Sequence, residues 1–74
     1  METYKNLGGD SGILYFEIGN DYVRVEFDDE AIYTYTYASA GEYNIEEMKK
    51  IAISGEGLNS FINKYVRKKY ASKE

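Results

Sequence analysis

The stretch Ile13-Leu14-Tyr15-Phe16-Glu17-Ile18-Gly19-Asn20-Asp21-Tyr22-Val23-Arg24-Val25-Glu26-Phe27 decides the fold. Its side chains alternate with a period of two, the mark of strands with one covered face. Leu14, Phe16 and Ile18 fall on one face, opposed to Ile13, Tyr15 and Glu17. In the second run Val23, Val25 and Phe27 oppose Tyr22, Arg24 and Glu26. Between the runs stands Gly19-Asn20-Asp21, turn chemistry because Gly and Asn tolerate positive φ. A two-residue turn at Asn20-Asp21 sets Phe16 opposite Val25 and Glu17 opposite Arg24. One register then builds both an apolar face and a cross-strand ion pair.

Working outward, Asp28-Asp29-Glu30 is a second turn, and Ile32 to Tyr37 a third strand rich in β-branched and aromatic residues. Two registers are open here. A two-residue turn at Asp29-Glu30 pairs Phe27 with Ile32 and exposes Tyr33, Tyr35 and Tyr37. A three-residue turn through Glu30 pairs Phe27 with Ala31 and brings those tyrosines onto the core face. After Ser39-Ala40-Gly41 the period becomes helical. Asn44 with Glu47 reads as a capping box, and Ile45, Met48, Ile51 and Ala52 recur at helical spacing. Gly55 is placed to stop that helix in a left-handed conformation. Leu58, Phe61, Ile62, Tyr65 and Val66, with Tyr70 as a further member, stripe a second helix, from about Leu58 to Ala71. Residues 1–12 are weakly patterned, with Gly8, Gly9 and Gly12, and read as a flexible lead-in to one domain over residues 13–72. The expected fold class is α+β: a three-stranded antiparallel β-meander followed by two helices packed on one face.

Composition narrows the chemistry. The 74 residues include no Cys, His or Pro. Disulfides, thiolate metal sites, Ser-His-Asp catalysis and the usual zinc ligands are all ruled out. A core this small supplies at most roughly 3–5 kcal/mol. No run of about 18 apolar residues is present, and Met1–Asn6 lacks a basic region before an apolar one, so neither a membrane span nor a secretory leader is expected. The expected compartment is cytoplasmic, and an initiating Met with an end at Glu74 reads as a whole small protein. The net charge of −4 conceals a split: −9 over residues 1–47 and +5 over residues 48–74. An acidic sheet softened by a basic helix is one reading. The others are a basic surface for nucleic acid or an acidic surface for a basic protein.

Part of the pattern resembles a known family. Val23-x-Val25-x-Phe27 leads to Tyr33-Thr34-Tyr35. Ile51-Ala52-Ile53-Ser54-Gly55 follows, and Ile62-Asn63-Lys64-Tyr65-Val66-Arg67-Lys68-Lys69-Tyr70 closes the chain. Over roughly Ser11 to Tyr70 this is similar to the KTSC domain, a short module named for its place at the C-terminus of some lysyl-tRNA synthetases and found also as small bacterial and phage proteins. Glu30 stands where that family's turn has Gly, and the family's Val-Pro pair after the third strand is missing. The family has no established activity to carry over, and no cofactor is expected. It implies proximity to RNA by association.

Candidate sites follow from residue type and spacing. Lys64, Arg67 and Lys68 recur at i, i+3 and i+4, a stripe that tracks phosphates or simply favours a helix C-terminus. Asn63 and Tyr35 join them as tentative nucleic-acid contacts, Tyr35 because aromatic sheet faces stack bases. Glu17, Glu26, Asp28, Asp29 and Glu30 form the alternative acidic surface, suited to a basic protein partner in the manner of a nucleic-acid mimic. Asp28-Asp29-Glu30 lacks the spacing of a calcium loop. Gly9-Asp10-Ser11-Gly12 looks like a protease nucleophile element, but no His is present to activate the serine. Ser54-Gly55-Glu56-Gly57 lacks the Lys-Ser/Thr pair of a phosphate loop and reads as an interhelical turn, with a weak anion site as its other reading. Homodimerisation, compensating for a thin core, is a further structural role. The expected protein is therefore a non-enzymatic interaction module, monomeric or homodimeric.

Overall fold

The computed structural model describes residues 1–9 and 11–74. Among these, five strands form one antiparallel sheet in sequence order: β1 (Glu2–Thr3), β2 (Ile13–Ile18), β3 (Tyr22–Phe27), β4 (Ile32–Thr36) and β5 (Ser72–Lys73). The helical segments are α1 (Tyr37–Ala40), α2 (Glu42–Ser54) and α3 (Leu58–Phe61), the last running into a π-helical turn at Ile62–Val66. The class is α+β with an antiparallel sheet, and the three expected strands are its centre. The two extra strands are short edge pieces from the termini.

The central hairpin has the expected register. Phe16 faces Val25 and Glu17 faces Arg24, and the Glu17–Arg24 carboxylate and guanidinium lie 3.5 Å apart. One detail differs from simple alternation. A β-bulge between Ile13 and Tyr15 shifts the pairing, so Ile13 joins Phe16 in the core and Leu14 is 42% exposed. A bulge adds one residue to one strand, which changes which side chain faces inward.

The second hairpin takes the three-residue turn. The Phe27 N–H donates to the Ala31 carbonyl at 2.9 Å, and Val25 faces Tyr33 while Val23 faces Tyr35. Glu30 closes the turn at φ 70°, the left-handed residue that such loops require. Cβ makes that conformation cost roughly 1–2 kcal/mol. Glu30→Gly is therefore expected to raise stability by about 1 kcal/mol, read as a higher urea midpoint at unchanged m-value.

Two helix boundaries differ from the sequence reading. Asn44 does not cap α2: its amide donates to the Ala40 carbonyl, and α2 begins after Gly41 at φ 92°. The capping box forms eight residues earlier, where Thr36 and Ser39 bond reciprocally around α1. The last helix does not reach Ala71. Beyond Val66 the chain turns back, and Ala71 and Glu74 bond to Thr34 and Ile32. Without this return the outer edge of β4 would present unpaired backbone groups. Gly55 ends α2 as expected, at φ 82° with its N–H on Ile51.

Residues 1–12, read as a lead-in, contribute both β1 and a core side chain. Tyr4 is 4% exposed, and its hydroxyl accepts a hydrogen bond from the Leu58 N–H at 3.2 Å. The core lies between the inner sheet face (Phe16, Val23, Val25, Tyr35) and the helices (Ile45, Met48, Ala52, Leu58, Ile62, Val66). No helix among the described residues is long and apolar enough to cross a membrane.

Candidate functional site

The sheet's second turn and the last helical segment converge on a cleft of about 360 Å³. One wall comes from the β3–β4 turn and carries Asp28 and Asp29; the other carries Asn63, Arg67 and Lys68. Between them lies an apolar and aromatic side of Phe27, Tyr33, Tyr35, Ile62 and Tyr70. The size falls in the range of small-molecule sites, ~300–1,000 Å³. Residues assigned from sequence to two separate surfaces, one basic and one acidic, thus share one depression.

The aromatic side is built by edge-on packing. Tyr70 meets Tyr33 at 5.0 Å and 82°, and Tyr35 at 6.5 Å and 88°. Tyr33 also meets Phe27 at 5.5 Å and 81°. Such pairs add roughly 0.5–1.5 kcal/mol each beyond area burial. Tyr35 is only 1% exposed, so it cannot present a face to a base, which corrects its assignment as a stacking contact. The three-residue turn is the cause: it rotates alternate tyrosines of β4 toward the core. Burial, with Tyr33 and Tyr70 close by, pushes the Tyr35 phenol well above its ordinary range. The exposed aromatics of this region are instead Tyr70 and Tyr65. Sequence reading had set both in an apolar helix stripe. Nothing local distinguishes Tyr70, because the return of the chain to β4 is a long-range pairing.

The cations follow a simple division. Among the described residues, ion pairs engage Arg24, Lys49 and Lys50, and none engages Lys64, Arg67, Lys68, Lys69 or Lys73. No ion pair joins Lys64–Lys73 to the acids of residues 1–47 among these residues, so the basic segment is not neutralised by contact with the sheet. Lys64 lies outside the cleft walls, with its ammonium 5.5 Å from the Tyr65 ring centroid. Lys73 sits in β5 with its ammonium 5.4 Å from the Tyr33 centroid.

The acids are divided between two places. Glu17 and Glu26 lie on the outer face of the sheet, where Glu17 accepts a hydrogen bond from the Tyr22 hydroxyl and pairs with Arg24. Arg24 also pairs with Glu74 at 3.1 Å. Asp28, Asp29 and Glu30 stand at the turn, where Asp29 Oδ1 accepts from the Ala31 N–H. The five carboxylates therefore do not form one patch. No group of three or more metal-ligating side chains comes together among the described residues.

A third polar cluster lies at the sheet-to-helix junction. The Tyr37 hydroxyl donates to Glu46 at 2.5 Å, and Lys49 pairs with the same carboxylate at 2.8 Å. The bond to Glu46 pushes the Tyr37 phenol up to about 12. Lys49, followed by Tyr37, holds the Glu46 carboxyl below its usual value. These groups satisfy one another and tie the start of α1 to α2.

The Ser54–Gly57 turn is held by hydrogen bonds within the fold. Ser54 Oγ donates to the Ile51 carbonyl and accepts from the Glu56 N–H. The Leu58 N–H, which would face an anion, is taken by Tyr4. In Gly9-Asp10-Ser11-Gly12, Asp10 lies outside the described residues, and Ser11 Oγ accepts from the Ile13 N–H. Compared with known proteins, the chain matches no family model, no curated protein and no solved structure.

Proposed function

We propose that the protein is a small non-enzymatic binding module of the KTSC type that holds the backbone of single-stranded nucleic acid along Lys64–Lys73. The observation that carries this reading is the set of cations without an ion pair among the described residues, Lys64, Arg67, Lys68, Lys69 and Lys73, on one short segment. Exposed Tyr65 and Tyr70 lie among them. Interleaved cations and aromatic rings suit a strand whose bases are free to stack. A duplex fits less well, because its second strand would approach Asp28, Asp29 and Glu30 with like charge. The absence of His and Cys from the sequence removes the common nucleophile–base pairs and favours binding over catalysis. The divided carboxylates weaken the alternative of an acidic protein-binding face.

The test is titration with hexauridylate at two salt concentrations. With about three phosphates neutralised, affinity is expected to fall roughly 20-fold between 50 and 200 mM salt. Replacing Lys64, Arg67 and Lys68 together by Gln is expected to flatten the slope of log K against log salt by about 2. These side chains are exposed, so the fold is expected to persist, as amide spectra would report. Absence of binding at low salt overturns the proposal.

A further inference from the structure

The two walls of the cleft carry opposite charge, which a phosphate-backbone contact does not explain. Arg67 and Lys68 suit a phosphate, whereas Asp28 and Asp29 repel one. Neither aspartate is in an ion pair among the described residues. An occupant must therefore be anionic at one end, rich in hydrogen-bond donors at the other, and flat and apolar between them to lie along Tyr33 and Tyr70.

We infer that the cleft receives one unstacked base of the bound strand, and that the base it selects is guanine. This rests on the reading of the chain as a single-stranded nucleic-acid module. Guanine presents N1–H and N2–H side by side on its Watson–Crick edge, two donors that match the two oxygens of a carboxylate. Uracil presents one donor flanked by two carbonyl oxygens, which a carboxylate repels. Among the described residues, Asp29 Oδ1 is engaged by the Ala31 N–H, and no hydrogen bond takes Asp29 Oδ2 or the Asp28 carboxylate. The phosphate of the same nucleotide reaches Arg67 and Lys68 on the opposite wall. A cleft of about 360 Å³ accommodates a single nucleotide and not two. Base-edge bonds of this kind are how sequence is read on unpaired RNA.

The experiment compares hexauridylate with the same hexamer carrying one central guanine, by amide titration of the labelled protein at low salt, with 5′-GMP as a third probe. The guanine hexamer is expected to bind at least fivefold more tightly, with the added shifts at residues 28–31 and 67–70. Replacing Asp28 and Asp29 together by Asn keeps an acceptor for the Ala31 N–H. It is expected to abolish the guanine preference while strengthening hexauridylate binding, since two repulsive charges are gone. A merely structural role for the turn would weaken both ligands together. Equal affinity of the two hexamers overturns the base pocket and leaves backbone binding standing. Shifts with 5′-GMP alone uphold the pocket and overturn the backbone reading. No shift with any probe overturns both.

Discussion

Tyr35→Ala is expected to leave the protein unfolded at 25 °C, and Tyr35→Phe to leave it folded. Tyr35 is among the largest fully buried side chains. Its ring stacks on Tyr33 at 6.4 Å and meets the edge of Tyr70 at 6.5 Å. Truncating a buried aromatic to Ala costs about 3–5 kcal/mol, through lost transfer energy and the cavity left behind. A core of this size supplies roughly the same amount in total. Phe keeps the ring and both contacts and loses only the hydroxyl, a change of under about 1.5 kcal/mol. Far-UV circular dichroism during urea titration separates the two. A folded Tyr35→Ala variant with a near-parental midpoint would show that the tyrosine is dispensable to the core. The hydroxyl also sets an alkaline limit. Its folded-state pKa is raised, so its contribution is complete below the unfolded value near pH 10 and is lost as pH climbs toward the folded value. Tyr35→Phe is expected to soften that alkaline loss.

Tyr4→Ala is expected to cost nearly as much, about 3–5 kcal/mol, although the residue lies in a stretch whose sequence has the character of a linker. Tyr4 packs edge-on to Phe16, with centroids 6.4 Å apart and planes at 86°. Its backbone N–H donates to the Leu14 carbonyl at 2.9 Å, and its hydroxyl takes the Leu58 N–H. One side chain thus joins the edge strand, the bulge and the start of α3. Tyr4→Phe isolates the hydroxyl: the Leu58 N–H is left buried without its acceptor, at about 1–3 kcal/mol. Urea midpoints of the two variants give both figures. If Tyr4→Ala unfolds at the parental midpoint, the N-terminal segment is an appendage after all.

How much was legible differs by element. The β2–β3 hairpin was, down to its register, because Gly19-Asn20-Asp21 restricts the turn and only one pairing sets apolar faces together. The left-handed stop at Gly55 was equally local. The bulge at Ile13–Tyr15 was not, since Ile13 and Leu14 are both apolar and either satisfies the alternation. Tyr4 carried no periodic signal at all, because one aromatic side chain in a Gly-rich stretch makes no pattern. The candidate site was half legible. Arg67, Lys68, Asn63, Asp28 and Asp29 were all singled out, yet as two distinct surfaces, and Tyr70 was set in a helix that ends before it.

The amino-acid sequence by itself determined the α+β class, the central hairpin, the chemistry closed to a chain without His or Cys, and the sorting of charge along its length. Those follow from residue type, period and turn chemistry, which act over a few neighbours. Only the tertiary structure decided which face of β4 is buried, where the last helix ends, and that the acidic turn and the basic segment share one cleft. A three-residue turn and a two-residue turn are nearly equivalent locally. Packing Tyr35 among Val23, Val25 and the helices selects the first. The free edge of β4 then draws residues 71–74 back across the sheet, bringing Tyr70 and its cationic neighbours to the β3–β4 turn.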